Sequence, residues 1–228
     1  MSETKKLCHL GIIADGNRRW AKERGLSTLE GHKRGLEVIE ELIEAATKRN
    51  IPYVSFFVFS TENWGRSETE VSYLMGLADK HIMRLAKKML AKNGRLVVLG
   101  AKDGRVPIKL ASTIEKAEKM TAECDGITVG FCFNYGGEQE IADAATIANE
   151  VENEITPETI RKHLYHPEIP AVDMVVRTSG EERISGFMLW RAAYAELMFI
   201  EKYFPEMEAE DIDEIIAEYE KRNRRFGK

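Results

Sequence analysis

The chain is short of the features that usually assign a protein at once. Its 228 residues include three cysteines, Cys8, Cys124 and Cys132, and no Cys-x-x-Cys spacing. That excludes a disulfide framework and a cysteine-built zinc site, and it fits a reducing, cytoplasmic setting. No stretch approaches the ~18–20 uninterrupted apolar residues of a membrane span. The apolar run near the N-terminus stops at Asp15, too early for a signal peptide. Repeats, low-complexity tracts and Pro/Gly/Ser linkers are missing, as are a Walker A loop, a Gly-x-Gly-x-x-Gly loop and a Ser/His/Asp pattern. Excess positive charge is missing too: 33 basic against 38 acidic residues give a net charge of −5, which argues against a general nucleic-acid binder.

What is present is a chain that is 43% hydrophobic, enough for one sizeable core, and a single domain over residues 1–228 is expected. Short apolar runs predict strands at 10–14, 53–59, 95–99, 127–133, 172–176 and 197–200. Longer stretches with 3–4 spacing predict helices at 35–48, 71–91, 106–123, 138–149, 157–163 and 209–221, with Pro107 at the start of its helix. This alternation implies an α/β domain with a mostly parallel central sheet flanked by helices, and ligands beyond the carboxyl ends of the strands.

The chemically rich segments follow strand ends. Asp15-Gly16-Asn17-Arg18-Arg19-Trp20 comes directly after the first strand. Asn17 is a candidate N-cap, and a helix N-terminus with Gly16 and Arg19 beside it suits a phosphate. A carboxylate beside a phosphate repels it unless a cation lies between, so Asp15 suggests Mg²⁺. The alternative is a capped helix with surface arginines. Gly31-His32-Lys33-Arg34-Gly35 is expected to precede a helix, where a solvated basic helix start is the commoner case. Ser60-Thr61-Glu62-Asn63-Trp64-Gly65-Arg66 crowds hydroxyls, a carboxylate, an amide, an aromatic and a cation after the second strand. Its plainer reading is a polar turn, with Ser67–Glu70 capping the next helix. Asn134-Tyr135-Gly136-Gly137 reads first as an ordinary strand-to-helix turn.

The run Arg177-Thr178-Ser179-Gly180-Glu181-Glu182-Arg183-Ile184-Ser185 puts two arginines and three hydroxyls after a buried strand, a fit for a diphosphate. Glu196 lies in an otherwise apolar stretch, where a buried carboxylate is paired or metal-bound. The basic ending, 222–228, is ordinarily solvated. Two phosphate-binding regions, one Mg²⁺ site and apolar helix stripes together suit a substrate with a charged head and an apolar tail.

These segments resemble the cis-prenyltransferase family, of which undecaprenyl diphosphate synthase is the best-known type, in its archaeal form. HLGIIADGNRRWA, GHKRG, FSTENWGRSETEVSYLM, FNYGGEQEI, DMVVRTSGEERISGFMLW, AYAEL and RRFG occur in family order over nearly the whole chain, from about His9 to Gly227. The resemblance implies a homodimer with an apolar tunnel between two helices and the sheet. Its implied reaction condenses isopentenyl diphosphate with an allylic prenyl diphosphate to a medium- or long-chain Z-polyprenyl diphosphate, such as a glycosyl-carrier lipid precursor, with Mg²⁺. It implies roles for Asp15, Asn17 and Ser60 at the reacting atoms. Gly16, Arg18, Arg19, Trp20, His32, Trp64 and Arg66 are implied on the allylic substrate, supported by Glu62, Asn63 and Glu70. Arg177, Arg183, Ser185 and Arg225 are implied on the homoallylic diphosphate, Arg225 reaching the partner subunit. Asp15 and Glu196 are implied as metal ligands. The proton acceptor is left among Asp15, an Asn17–Ser60 network and the diphosphate itself. No nucleic-acid partner is implied, and peripheral membrane contact follows from an apolar product.

Departures from the family pattern are local. Arg18 replaces a common bacterial Gly, Thr28 an Arg, Glu182 a His, Glu138 an Arg and Ala101 an Asp, while Val58 stands where long-chain enzymes often carry a smaller residue. Val58 points to a shorter tunnel. Thr28 and Glu182 keep open an irregular, head-to-middle condensation. A non-catalytic subunit of a heteromeric enzyme is the remaining alternative, opposed by the retained Asp15, Asn17, Arg177, Arg183 and Glu196.

Overall fold

The computed structural model describes residues 6–152 and 154–222. Among them, six strands form one sheet: β1 (His9–Ile13), β2 (Tyr53–Ser60), β3 (Arg95–Leu99), β4 (Thr128–Tyr135), β5 (Met174–Arg177) and β6 (Glu196–Phe199). Their order is β3-β4-β2-β1-β5-β6, and every pairing is parallel. The sheet is thus wholly parallel where a mostly parallel one is expected. The helices are α1 (Asn17–Glu23), α2 (Thr28–Lys48), α3 (Glu68–Ala91), α4 (Ile108–Thr121), α5 (Gly137–Val151), α6 (Pro157–Lys162) and α7 (Asp211–Lys221).

Period-two alternation feeds two cores, one on each face of the sheet. Leu10, Ile12, Phe56, Val129, Met174 and Val176 pack with α2, α3 and α7. Ile13, Val97, Leu99, Cys132 and Val175 pack on the other face against Phe187 and Met188. Strand order reverses at β1: the chain leaves it towards β2 on one side, while β5 lies on the other. The crevice above β1 and β5 is the place such a sheet reserves for a ligand.

Two local readings of the sequence change. Asn17 is not the cap of α1 but its first residue. Gly16 takes the cap position with φ +97, a left-handed conformation that glycine adopts without strain. The segment containing His32 does not precede α2 but forms its first turns, because the helix begins at Thr28. Ser27 and Glu30 close a reciprocal capping box there, the Ser27 N–H donating to Glu30 at 2.8 Å and the Glu30 N–H to Ser27 Oγ at 3.3 Å. Gly31 and Gly35 then explain themselves. A Cβ at Gly31 would sit 2.2 Å from the Asn17 carbonyl oxygen, and one at Gly35 2.4 Å from Asn17 Oδ1. The two glycines let α1 lie directly on α2. No helix among the described residues is long and apolar enough to cross a membrane.

Candidate active site

The loop after β1 and the loop after β5 meet across the crevice. The Asp15 N–H donates to Thr178 Oγ1 at 3.0 Å, and that hydroxyl donates to the Asp15 carbonyl at 2.7 Å. Arg177, buried at the end of β5, donates from Nη2 to Asp15 Oδ2 at 2.9 Å. Its Nη1 donates to the Arg183 carbonyl at 2.6 Å and to Ser185 Oγ at 2.8 Å. The Gly16 N–H closes on Asp15 Oδ1 at 2.6 Å, and Arg19 approaches the same oxygen at 3.4 Å. Burial alone would raise the Asp15 carboxyl, but the Arg177 and Gly16 hydrogen bonds and the nearby guanidinium charges hold it below its ordinary value. The carboxylate is therefore ionised at neutral pH, with its side chain 30% exposed towards the cleft.

That cleft is open and strongly cationic. Arg18, Arg19, Lys22, His32 and Arg66 line it, with Asp15 the one acid among the described residues of its wall. His32 and Arg66 share Glu70, at 3.3 and 3.0 Å. Burial, reinforced by the Arg66 and Arg18 charges, pushes the His32 imidazolium towards its neutral form. Arg18 lines the cleft with no acceptor among the described residues, which suits a cation that binds an anion.

Below the cleft the walls turn apolar. A cavity with about 980 Å³ of empty space, its open mouth included, lies between α2, α3 and the sheet. Leu36, Ile39, Val58, Leu74, Leu85 and Phe131 are among its lining. Ala14, Asn17 and His32 border both the cleft and the cavity. Asn17 Oδ1 is buried there with no hydrogen-bond partner, and Arg177 Nε is the other such atom among the described residues. Unpaired buried polar atoms are costly and mark places where a ligand completes the bonding.

The segment after β2 forms a single 3₁₀ turn, Thr61–Gly65. Asn63 accepts from the Ser60 N–H at 3.1 Å. Glu62 takes the Thr61 hydroxyl at 3.1 Å. Trp64 donates from Nε1 to Asn134 Oδ1 at 2.7 Å and packs edge-on to Phe59. The Asn134 turn is thus more than a connection: its amide also donates to the Ala101 carbonyl and to Asp103, fixing the wall that carries Trp64. Trp20 is not among the residues that line the cleft and lies under the Arg24 guanidinium.

Sequence reasoning left four contributors without a role. Thr178 ties the two loops together. Ser179 receives Arg19, and Glu181 takes both Arg19 and Arg183. Tyr203 packs where a Gly16 Cβ would lie, 2.6 Å away, and hydrogen-bonds Glu23. The serine and glutamate were visible within the Arg177 segment; nothing in the sequence singles out Tyr203.

One expected ligand lies elsewhere. Glu196 opens β6 level with Met174, which is level with Leu10. Within one chain it therefore lies about 10 Å below Ile13, the last residue of β1, at ~3.3 Å per residue, and two strands across from the strand that carries Asp15. Its apolar neighbours in sequence are strand residues, and it pairs with Arg222 at 3.6 Å, half-exposed. Among the described residues no three His, Cys, Asp or Glu side chains converge as a metal cage. Arg225 lies outside the described residues.

The chain resembles known proteins along nearly its whole length. The undecaprenyl diphosphate synthase family profile matches residues 13–227. An isoprenyl transferase of Thermotoga maritima is 42% identical over 224 residues, 96% of each chain. A trans,polycis-polyprenyl diphosphate synthase of Thermobifida fusca, specific for (2Z,6E)-farnesyl diphosphate, is 40% identical over 96% of this chain and 80% of its own. Lavandulyl diphosphate synthase from Lavandula x intermedia, solved with dimethylallyl diphosphate, superposes with a TM-score of 0.92 at 30% identity, covering 97% of this chain and 98% of that one. The loops that join over Asp15 and the cavity beneath them are, accordingly, parts of a prenyl-transferring enzyme: the chain belongs to the undecaprenyl diphosphate synthase family, the cis-prenyltransferases.

Proposed function

We propose that this enzyme condenses isopentenyl diphosphate head-to-tail with an allylic prenyl diphosphate, using Mg²⁺, to give Z-polyprenyl diphosphates. One observation carries the reading: a cationic cleft and an apolar cavity share the residues Ala14, Asn17 and His32, so a charged head and a hydrocarbon tail have adjoining places. Gly16, Arg18, Arg19, His32 and Arg66 receive the allylic diphosphate, and Arg177, Arg183 and Ser185 the homoallylic one. Trp64 orients the allylic chain from the Ser60 side.

The donor set fits Mg²⁺. It takes one or two carboxylates and completes its shell with phosphate oxygens and water, and Asp15 is one ionised carboxylate in a diphosphate-sized cationic cleft. When bound, it neutralises charge on the departing diphosphate. Arg18, Arg19 and Arg66 meet the same charge from fixed positions. Asn17, at the junction, holds the reacting ends close, and the apolar wall keeps water from the allylic carbon.

A second copy completes the reading. β6 is an edge strand among the described residues, with Tyr194 74% and Leu197 38% exposed, and an exposed apolar edge calls for cover. A homodimer supplies it, with Arg225 as a candidate for the partner's site. Val58, Phe131 and Phe133 take up space in the cavity, which favours products shorter than those of a wide tunnel. Thr28 at the rim and the likeness to the lavandulyl enzyme favour, as a second reading, dimethylallyl diphosphate as both donor and acceptor. Labelled isopentenyl diphosphate with a panel of allylic primers, against dimethylallyl diphosphate alone, separates the two. Incorporation in the first set alone supports elongation; product from the second alone replaces it with irregular condensation.

A further inference from the structure

Away from Asn17 and His32, which the cavity shares with the cleft, two side chains break its apolar lining: Glu40 of α2 and His81 of α3. They are not isolated. Glu40 Oε1 accepts from Arg84 at 2.6 Å and Oε2 from Lys88 at 2.5 Å. The Arg84 guanidinium also donates to His81 Nδ1 at 2.9 Å. One turn further on, Lys92 reaches Glu44 at 3.3 Å. Burial, with the Arg84 charge beside it, holds His81 below its ordinary value, so it faces the cavity as a neutral ring. The Glu40 carboxylate is 19% exposed, while Arg84 and Lys88 are 51% and 57% exposed on the solvent side.

These ion pairs run from α2 to α3 along the outer wall of the cavity. The two helices pack on each other far less than α3 packs on α4, because the cavity lies between them. Leu85 of α3 and Phe131 of β4, both buried, belong to its inner wall. A growing apolar tail that has filled the cavity meets packed core at Leu85 and Phe131, and charged side-chain pairs where Glu40 and His81 line it. Exposed ion pairs are weak individually and screened by salt, so the side wall is the part that yields first.

On the elongation reading above, we propose that the Glu40–Arg84–Lys88 ladder is a lateral clasp that sets the upper length of the product. Closed, it confines the tail to the cavity; opened, it lets a longer tail pass out between α2 and α3. Glu40, Arg84 and Lys88 are then specificity-determining residues remote from the reacting atoms.

The test compares product lengths, after dephosphorylation, for the wild type, Glu40→Gln and the double variant Arg84→Gln/Lys88→Gln, each at low salt and at about 1 M KCl, where screening reaches within ~3 Å. Glu41→Gln is the control: Glu41 pairs with Arg34, and neither lines the cavity. Glu40→Gln is expected to raise the fraction of chains longer than the dominant wild-type product about threefold or more. The double variant and high salt on the wild type should move the distribution the same way, and Glu41→Gln should leave it unchanged. Unchanged or shorter products in Glu40→Gln, with turnover retained, overturn the clasp. Should the variants not fold, a wild-type distribution unmoved by salt overturns it. A wild type that makes no ladder overturns the elongation reading instead.

Discussion

Among the described residues two arginines are buried, each against a carboxylate, and the two pairs are built to different ends. Arg191 and Glu140 meet at 2.7 Å with exposures of 3% and 0%. Every group around them is used: Arg191 also donates to the carbonyls of Ile169, Tyr165 and His166, and Glu140 accepts from the Tyr135 hydroxyl and the Tyr165 N–H. Arg177 and Asp15 meet at 2.9 Å, but Asp15 faces the cleft and Arg177 Nε is left unpaired. The first pair is closed and holds loops in place. The second is incomplete by itself, as a site that awaits charge must be. Burial and ion pairing alike are poor guides to function here; unsatisfied bonding capacity separates the two.

The comparison breaks most visibly at Asp15. Asp15→Asn keeps an acceptor for Arg177 but loses the charge. It should lower kcat/KM by about 10²–10³-fold while moving the denaturation midpoint little, as steady-state kinetics and urea titration will show. The reverse pattern is expected at the closed pair. Glu140→Ala leaves Arg191 buried without its partner and should cost about 3–5 kcal/mol of stability. Glu140→Gln/Arg191→Met should recover much of that loss in the same titrations, because it removes the uncompensated charge.

A third prediction concerns pH. His9 is buried between the Pro170 carbonyl and Ser55, at 2.9 and 2.8 Å. Burial, opposed by the Pro170 hydrogen bond, lowers its pKa from 6.5 to about 4. The folded value is below the unfolded one, so the unfolded chain takes up the proton first. The stability is present above pH 6.5 and is lost as pH falls towards 4, by about 3 kcal/mol in all. Urea titrations at pH 7 and 4.5 should show a larger acid loss in the wild type than in His9→Gln. The smallest effect is at the α1–α2 contact. Gly35→Ala should cost about 1–3 kcal/mol by overpacking, and it should raise KM for the allylic substrate because the displaced atom is Asn17 Oδ1.

The sheet could be read from sequence because strands such as β1, β4 and β5 are buried on both faces and form continuous apolar runs. The Asp15 and Arg177 segments were marked by crowded polar residues at strand ends, and the fold brings them into contact. The start of α2 was misplaced because its first turns, carrying His32, Lys33 and Arg34, look like loop, although the Ser27–Glu30 box marks the boundary. The place of Glu196 was not legible because sequence position does not say which end of a sheet a residue occupies. The Glu40–Arg84 ladder was invisible, since it joins helices 44 residues apart.

The central claim is that the cleft over Asp15 and the cavity beneath it serve one elongating substrate. The most direct test is to incubate the enzyme with labelled isopentenyl diphosphate, an allylic primer and Mg²⁺, then size the products and determine the geometry of each new double bond by NMR. The account predicts a Mg²⁺-dependent ladder in steps of one isoprene unit, every added bond Z, and none of it with Asp15→Asn. Added E bonds, or no incorporation with any primer, would contradict it.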